Sequence, residues 1–130
     1  MSLAQDFIKL QTWAVVGVSE NPEKYGHIIF ARLGKAGKKA YPVNPKPGRI
    51  GNVDFYPDLA SLPQLPEVVD LVVPPAVALS VVEQCGELGI KRVWFQPGTR
   101  SAEALARCKE LGIQAVADSC VLVELDKLGL

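Results

Sequence analysis

Short apolar runs alternate along this chain with stretches whose apolar residues recur at helical spacing. The runs fall at 13–18, 39–43, 68–73, 91–95 and 113–117. The first is apolar on both faces, as a central strand of a parallel sheet should be, and the others read as further strands. Helical spacing appears over 25–36, from Pro75 to Gly89, and from Ser101 to Gly112. A short helix is expected over 3–11, and a second short helix or tail after Cys120. The segment 49–68 is the least regular. There Val53-Asp54-Phe55-Tyr56 reads as a short extended piece, and Asp58 as the cap of a turn through Leu62.

Strand and helix in alternation predict an α/β fold. The expectation is a Rossmann-like, doubly wound parallel sheet of five core strands in a three-layer αβα arrangement. The expected strand order is 3-2-1-4-5, with residues 1–130 as a single domain. Tyr25, Ile28, Ile29, Arg32 and Leu33 recur at helical spacing along the first crossover helix. Val77, Val81, Val82, Cys85 and Leu88 mark the inner side of the second; Leu105, Cys108 and Leu111 mark that of the third. Glu103 and Arg107 stand one turn apart and are expected to pair. Trp13 and Trp94 read as packing residues.

Composition narrows the function. The chain has 130 residues, 48% apolar and 22% charged, as expected of a folded globular protein. Fourteen basic side chains balance fourteen acidic ones, so no overall field draws in nucleic acid or an anionic membrane. An anion site must therefore be local. Cys85, Cys108 and Cys120 are odd in number and form no Cys-x-x-Cys pair, which fits reduced thiols in the cytoplasm. The first two fall on inner helix faces. Cys120 lies nearer the functional edge but has no evident base partner. No signal peptide is apparent, and no apolar run reaches the ~20 residues of a membrane span. His27 is the single histidine and builds no metal site with these cysteines. At the start of a helix it reads as neutral and structural.

In a doubly wound sheet, ligands lie beyond the carboxyl ends of the strands. Five segments reach that edge: Gly17-Val18-Ser19, Asn44-Pro45-Lys46, Val73-Pro74-Pro75, Gln96-Pro97-Gly98 and Asp118-Ser119-Cys120. The first joins a strand to a helix through a polar loop, the arrangement that presents free backbone N–H groups and a helix dipole to a phosphate. Lys24 and Tyr25 stand where that helix begins, and Lys24 could neutralise a phosphate. A full Gly-x-Gly-x-x-Gly fingerprint is absent: Ser19 holds the second position, and the loop runs on to Gly26. An NAD site would carry an acid at the end of the second strand. Here Asn44-Pro45-Lys46 stands there, with Arg49 close behind. A cation at that point fits a phosphorylated ribose, either NADP or the 3′-phospho-ADP end of coenzyme A.

Three segments, taken in order, resemble the small stand-alone CoA-binding protein family: Ala14-Val15-Val16-Gly17-Val18-Ser19-Glu20-Asn21-Pro22, Tyr41-Pro42-Val43-Asn44-Pro45 and Val93-Trp94-Phe95-Gln96-Pro97-Gly98. The stretch from Val72-Val73-Pro74-Pro75 to Gln96-Pro97-Gly98 is similar to the CoA-binding domain of the succinyl-CoA synthetase α subunit. The resemblance implies a Rossmann-type module that binds coenzyme A or an acyl-CoA. On that pattern Gly17, Val18 and Ser19 contact the pyrophosphate, and Lys46 meets the 3′-phosphate. Pro74 flanks the adenine or pantetheine path, while Gln96, Pro97 and Gly98 line the far side. Ser119 stands where the family often has arginine. The synthetases' phosphorylated histidine belongs to a separate domain, so the expectation is a non-catalytic binding module, with any protein partner unknown. Two alternatives stay open: an NADP-dependent oxidoreductase or its remnant, and a vestigial groove on a protein-association module.

Overall fold

The computed structural model describes residues 2–130. Helix α1 (Leu3–Ile8) leads into β1 (Thr12–Val16), α2 (Tyr25–Lys35) and β2 (Lys39–Val43). A small hairpin of β3 (Arg49–Ile50) and β4 (Val53–Asp54) follows, then one 3-10 turn at Leu59–Ser61. The remaining elements are β5 (Val68–Leu71), α3 (Pro75–Leu88), β6 (Arg92–Phe95), α4 (Ala102–Leu111), β7 (Gln114–Val116) and α5 (Val121–Lys127). Local chemistry explains many boundaries. The side chains of Ser2 and Ser101 cap α1 and α4, and Asp58 caps the 3-10 turn, as expected. Pro75 opens α3, where its missing N–H costs nothing.

The five core strands run parallel in the order β2-β1-β5-β6-β7. Numbered as core strands alone, the order is 2-1-3-4-5, which corrects the expected 3-2-1-4-5. Pro42 supplies the reason. Its carbonyl points to the outer side of β2 and accepts from Tyr56 N at 2.9 Å. Its missing N–H faces the same way, so that side of β2 cannot extend a ladder and β2 becomes the edge. A lone bridge between Val43 and Tyr56 is all that forms there. The third core strand therefore pairs with the other side of β1. The crevice where connections diverge lies beside β1, as in the expected order, but its second wall is β5, the third core strand, rather than the fourth.

Helices cover both faces of the sheet. Val16, Leu71, Val93 and Phe95 pack with Val82, Cys85 and Cys108 of α3 and α4. Trp13, Val15, Val68 and Trp94 pack with residues of α1, α2 and α5. Both tryptophans are fully buried, and each indole also anchors a loop: Trp13 Nε1 donates to Leu10 O at 3.0 Å, and Trp94 Nε1 to Ser119 O at 2.9 Å. Cys85 and Cys108 are buried as expected; burial pushes their thiols up to about 12 and about 11. Val77, expected on the buried side of α3, is instead exposed, and so are Tyr25 and Ile28 of α2. Arg107 turns to Glu83 of α3, with two contacts at 2.7 and 3.0 Å, and to Glu110, rather than to Glu103. The cross-helix fork is bidentate, which a same-helix pair would not match.

At the amino edge, one Glu67 oxygen accepts from Gln11 N, Thr12 N and Thr12 Oγ1, each at 3.0 Å. The Thr12 backbone bond is the largest influence holding this carboxyl below its ordinary 4.5. A lowered carboxyl pKa stabilises the fold above the unfolded pKa, and that stability is lost as pH falls through the folded value. Glu67→Ala is expected to lower stability at pH 7 by about 1–2 kcal/mol. In urea melts, the gap between variant and parent should close on acidification below the carboxylate range.

Candidate functional site

The carboxyl edge is built around Gly17. Its N–H donates to Val43 O at 2.9 Å, while Val72 N donates to Val16 O at 2.9 Å. The strand ends are thereby drawn together. Gly17 has φ +101°, and a Cβ there would stand 2.1 Å from Val72 O. Only glycine meets both demands. Gly26, in the first turn of α2, would place a Cβ 2.2 Å from Gly17 O. The helix therefore starts against the strand end, the close packing that a fingerprint's last glycine provides. Gly26 is hard to recognise in the sequence, because it follows Ser19 by seven positions where the fingerprint's last glycine follows its second by three.

The loop between them is internally braced. Asn21 N donates to Ser19 Oγ at 3.1 Å and Glu23 N to Asn21 Oδ1 at 2.9 Å. Ser19 thus accepts from the loop and keeps its hydroxyl proton for a ligand. His27 Nδ1 lies 2.8 Å from Ser19 O, so that nitrogen carries the proton and the ring steadies the loop. Lys24 is the N-cap residue of α2, and no side chain caps this helix; its first turn holds no acid. The leading N–H groups of α2 are therefore available to an anion. Val18 is buried beneath the loop, and its carbonyl accepts from Asn44 Nδ2 at 2.7 Å. Asn44 Oδ1 in turn accepts from Lys46 N at 2.9 Å. Asn44 therefore ties the two strand-end loops together, a structural part the sequence did not assign to it. Lys46 is exposed beside this tie and enters no ion pair among the described residues. Arg49, by contrast, pairs with Asp54 at 3.5 Å and donates its N–H to Glu20.

Two hollows flank the crest of Gly17 and Val72-Val73. One, of about 370 Å3, lies on the α3 side; Gly17, Asn44, Pro45, Asp58, Val73 and Gln84 are among its walls. The other, of about 280 Å3, lies between α2 and α5; Tyr25, Ile29, Val72, Gln96, Pro97 and Cys120 help to line it. Beyond Pro97 the edge continues as a shallow cleft with Gly98, Arg100 and Asp118. Pro74 is exposed at the start of α3, which also lacks a side-chain cap. A larger hollow of about 750 Å3 sits between α2 and the β3–β4 hairpin. It is an open trough along the outer edge of β2, away from the switch point, and meets no helix N-terminus. The five predicted segments are thus brought to one edge, but as two hollows and a cleft rather than one uniform groove.

Gln96 departs most from expectation. It is buried, with Nε2 donating to Asp70 Oδ1 at 2.7 Å and Oε1 accepting from Val121 N at 3.4 Å. Its amide is engaged at both ends and ties β5, β6 and α5. Asp70 is fully buried and its Oδ2 has no partner. Desolvation raises its carboxyl from 3.8 to about 7, against the opposing pull of the Gln96 bond. The signal was visible in the sequence as one acid inside the run Val68-Val69-Asp70-Leu71-Val72-Val73.

The fold is a Rossmann-like α/β module whose strand ends and an uncapped helix start gather at one edge. Residues 11–126 match the model of a CoA binding domain family, and the chain belongs to that family. It is 28% identical over 119 residues to the alpha subunit of acetate–CoA ligase [ADP-forming] II of Pyrococcus furiosus, covering 83% of this chain and 26% of that subunit. The chain thus spans about a quarter of that relative's length. It is 27% identical to the uncharacterized protein YneT of Bacillus subtilis, covering 85% of this chain and 82% of YneT. A hypothetical protein from Pyrococcus horikoshii OT3 has the same fold, with TM-score 0.91 and 34% identity over 98% of this chain and 90% of that one. No helix among the described residues is long and apolar enough to cross a membrane.

Two measurements check the site's chemistry. A raised acid pKa penalises the fold once the unfolded chain ionises. Asp70→Asn should therefore be near neutral at pH 4 and increasingly stabilising up to pH 7, then level off. The full gain is on the order of a few kcal/mol, read from denaturant melts across pH. Thiol titration with a disulfide reagent should find Cys120 reactive in the native protein and Cys85 and Cys108 reactive only after unfolding.

Proposed function

We propose that this chain binds coenzyme A, or an acyl-CoA, along the carboxyl edge and works as a binding module without chemistry of its own. The observation that carries this reading is the uncapped start of α2 set against Gly17, Val18 and Ser19, with Lys46 unpaired beside it. The backbone N–H groups, the Ser19 hydroxyl and Lys24 receive the pyrophosphate. Lys46 meets the 3′-phosphate, and the hollow walled by Asn44, Pro45 and Val73 takes the adenosine. Pro74 borders the path of the pantetheine arm toward Tyr25, Gln96, Pro97 and Gly98. Membership of the CoA binding domain family supports the choice of ligand.

The titratable groups favour binding over catalysis. Asp70 is sealed behind Gln96, and the ring of the single histidine is engaged with Ser19 O. Neither stands free to move a proton at the groove. The likeness to a ligase subunit supports the alternative that such a module serves a larger synthetase. An NADP site would use the same lysine for a 2′-phosphate.

Thermal melting with each nucleotide separates these readings. Coenzyme A at ~100 times its Kd should stabilise the fold by about 2.7 kcal/mol, several degrees in Tm; NADPH should not. Lys46→Ala should weaken coenzyme A about tenfold, the loss of about 1.4 kcal/mol, and leave dephospho-CoA unaffected. Stabilisation by NADPH but not coenzyme A would reverse the assignment.

A further inference from the structure

The hollow between α2 and α5 is unlike the rest of the edge. We propose that it is an acyl subsite, which receives the short, uncharged acyl group of a coenzyme A thioester. This rests on the nucleotide lying along the adjacent groove as described above.

Position comes first. Lys46 sets the phosphorylated ribose at the β2 end, so the thioester end must lie at the other side of the crest. Val72 and Val73 are consecutive, yet Val73 walls the α3-side hollow and Val72 the α2–α5 one. An arm crossing this pair enters the second hollow directly. Size comes next. About 280 Å3 falls just below the range of pockets that hold whole drug-sized ligands, so it suits a small group rather than a second nucleotide.

The lining sets the chemistry. Tyr25, Ile29, Val72, Pro97, Leu122 and Val123 present mainly apolar surface. Tyr25 is 66% exposed and Val123 50%, so the rim holds apolar area left open by the described residues. The lining contains no lysine or arginine. Gln96 cannot turn to a ligand because Asp70 and Val121 N hold its amide. A carboxylate on the acyl chain would meet no cationic side chain in the lining, with Asp70 behind the wall. The walls are also held at a set spacing. Arg32 of α2 forms an ion pair with Asp126 of α5, and its Nε donates to Leu130 O at 3.1 Å.

Calorimetric titration of the 130-residue chain tests this, using coenzyme A, acetyl-, butanoyl-, hexanoyl- and succinyl-CoA under reducing conditions. Kd should fall about fourfold per added methylene until the hollow is full, the equivalent of about 0.8 kcal/mol each. Succinyl-CoA should bind more weakly than butanoyl-CoA, which has the same number of acyl carbons. Val123→Asp, at an exposed position, should flatten the series. Hexanoyl-CoA should shield Cys120 from a thiol reagent more than coenzyme A does. A flat series with coenzyme A still bound overturns the acyl subsite alone, as does a slope unchanged in Val123→Asp. If neither coenzyme A nor any thioester binds, the nucleotide reading falls and the acyl subsite with it.

Discussion

The structure depends on a backbone-to-backbone contact at the carboxyl end of β1. Gly17 sits against Val72 O, and Gly26 sits against Gly17 O, with no room for a Cβ at either place. Strand β5, strand β1 and helix α2 converge on these two glycines. Their convergence aims the first N–H groups of α2 at the switch crevice and places the Ser19 hydroxyl beside them. Any side chain here would separate the helix from the sheet and turn those N–H groups away from the crevice.

Around that contact, polar side chains brace loops that have no regular structure of their own. Asn44 links the β1 and β2 ends, Gln96 links β5, β6 and α5, and Trp94 holds Ser119 O. Ser119 in turn donates to the buried Glu124 at 2.6 Å, which Gln5 of α1 also reaches. The carboxyl edge is therefore held in place largely by side chains that bond to neighbouring loops and strand ends. The cost is concentrated in Asp70, a buried acid with one oxygen left without a partner. Its raised pKa keeps it mostly protonated below about pH 7, which limits that cost there.

The two faces of the sheet give the edge two characters. On the α3 side, Asn44, Asp58, Ser80 and Gln84 make a mixed polar hollow beside the basic end of β2. On the α2–α5 side the walls are mostly apolar and carry no basic group. A nucleotide with a long neutral arm matches that succession of polar and apolar surfaces better than a dinucleotide, which needs a polar ribose site at each end. Family membership and local chemistry therefore point to the same class of ligand.

Much of this was legible in the sequence because it is local. Apolar runs, glycine and proline punctuation and the Ser101 and Asp58 caps act within a few residues, so strands, helices and the five edge segments could be placed from the chain alone. The absence of an acid after β2 and the presence of Lys46 there were equally readable. Strand order was decided by tertiary pairing: the outward-facing missing N–H of Pro42 closes one side of β2, and that direction exists only once β1 has paired. The roles of Asn44 and Gln96 as ties, the exposure of Tyr25 and Ile28, and the turn of Arg107 to Glu83 likewise depend on neighbours far along the chain. Periodicity states which side of a helix is apolar; only the packed sheet determines how much of that side finds a cover.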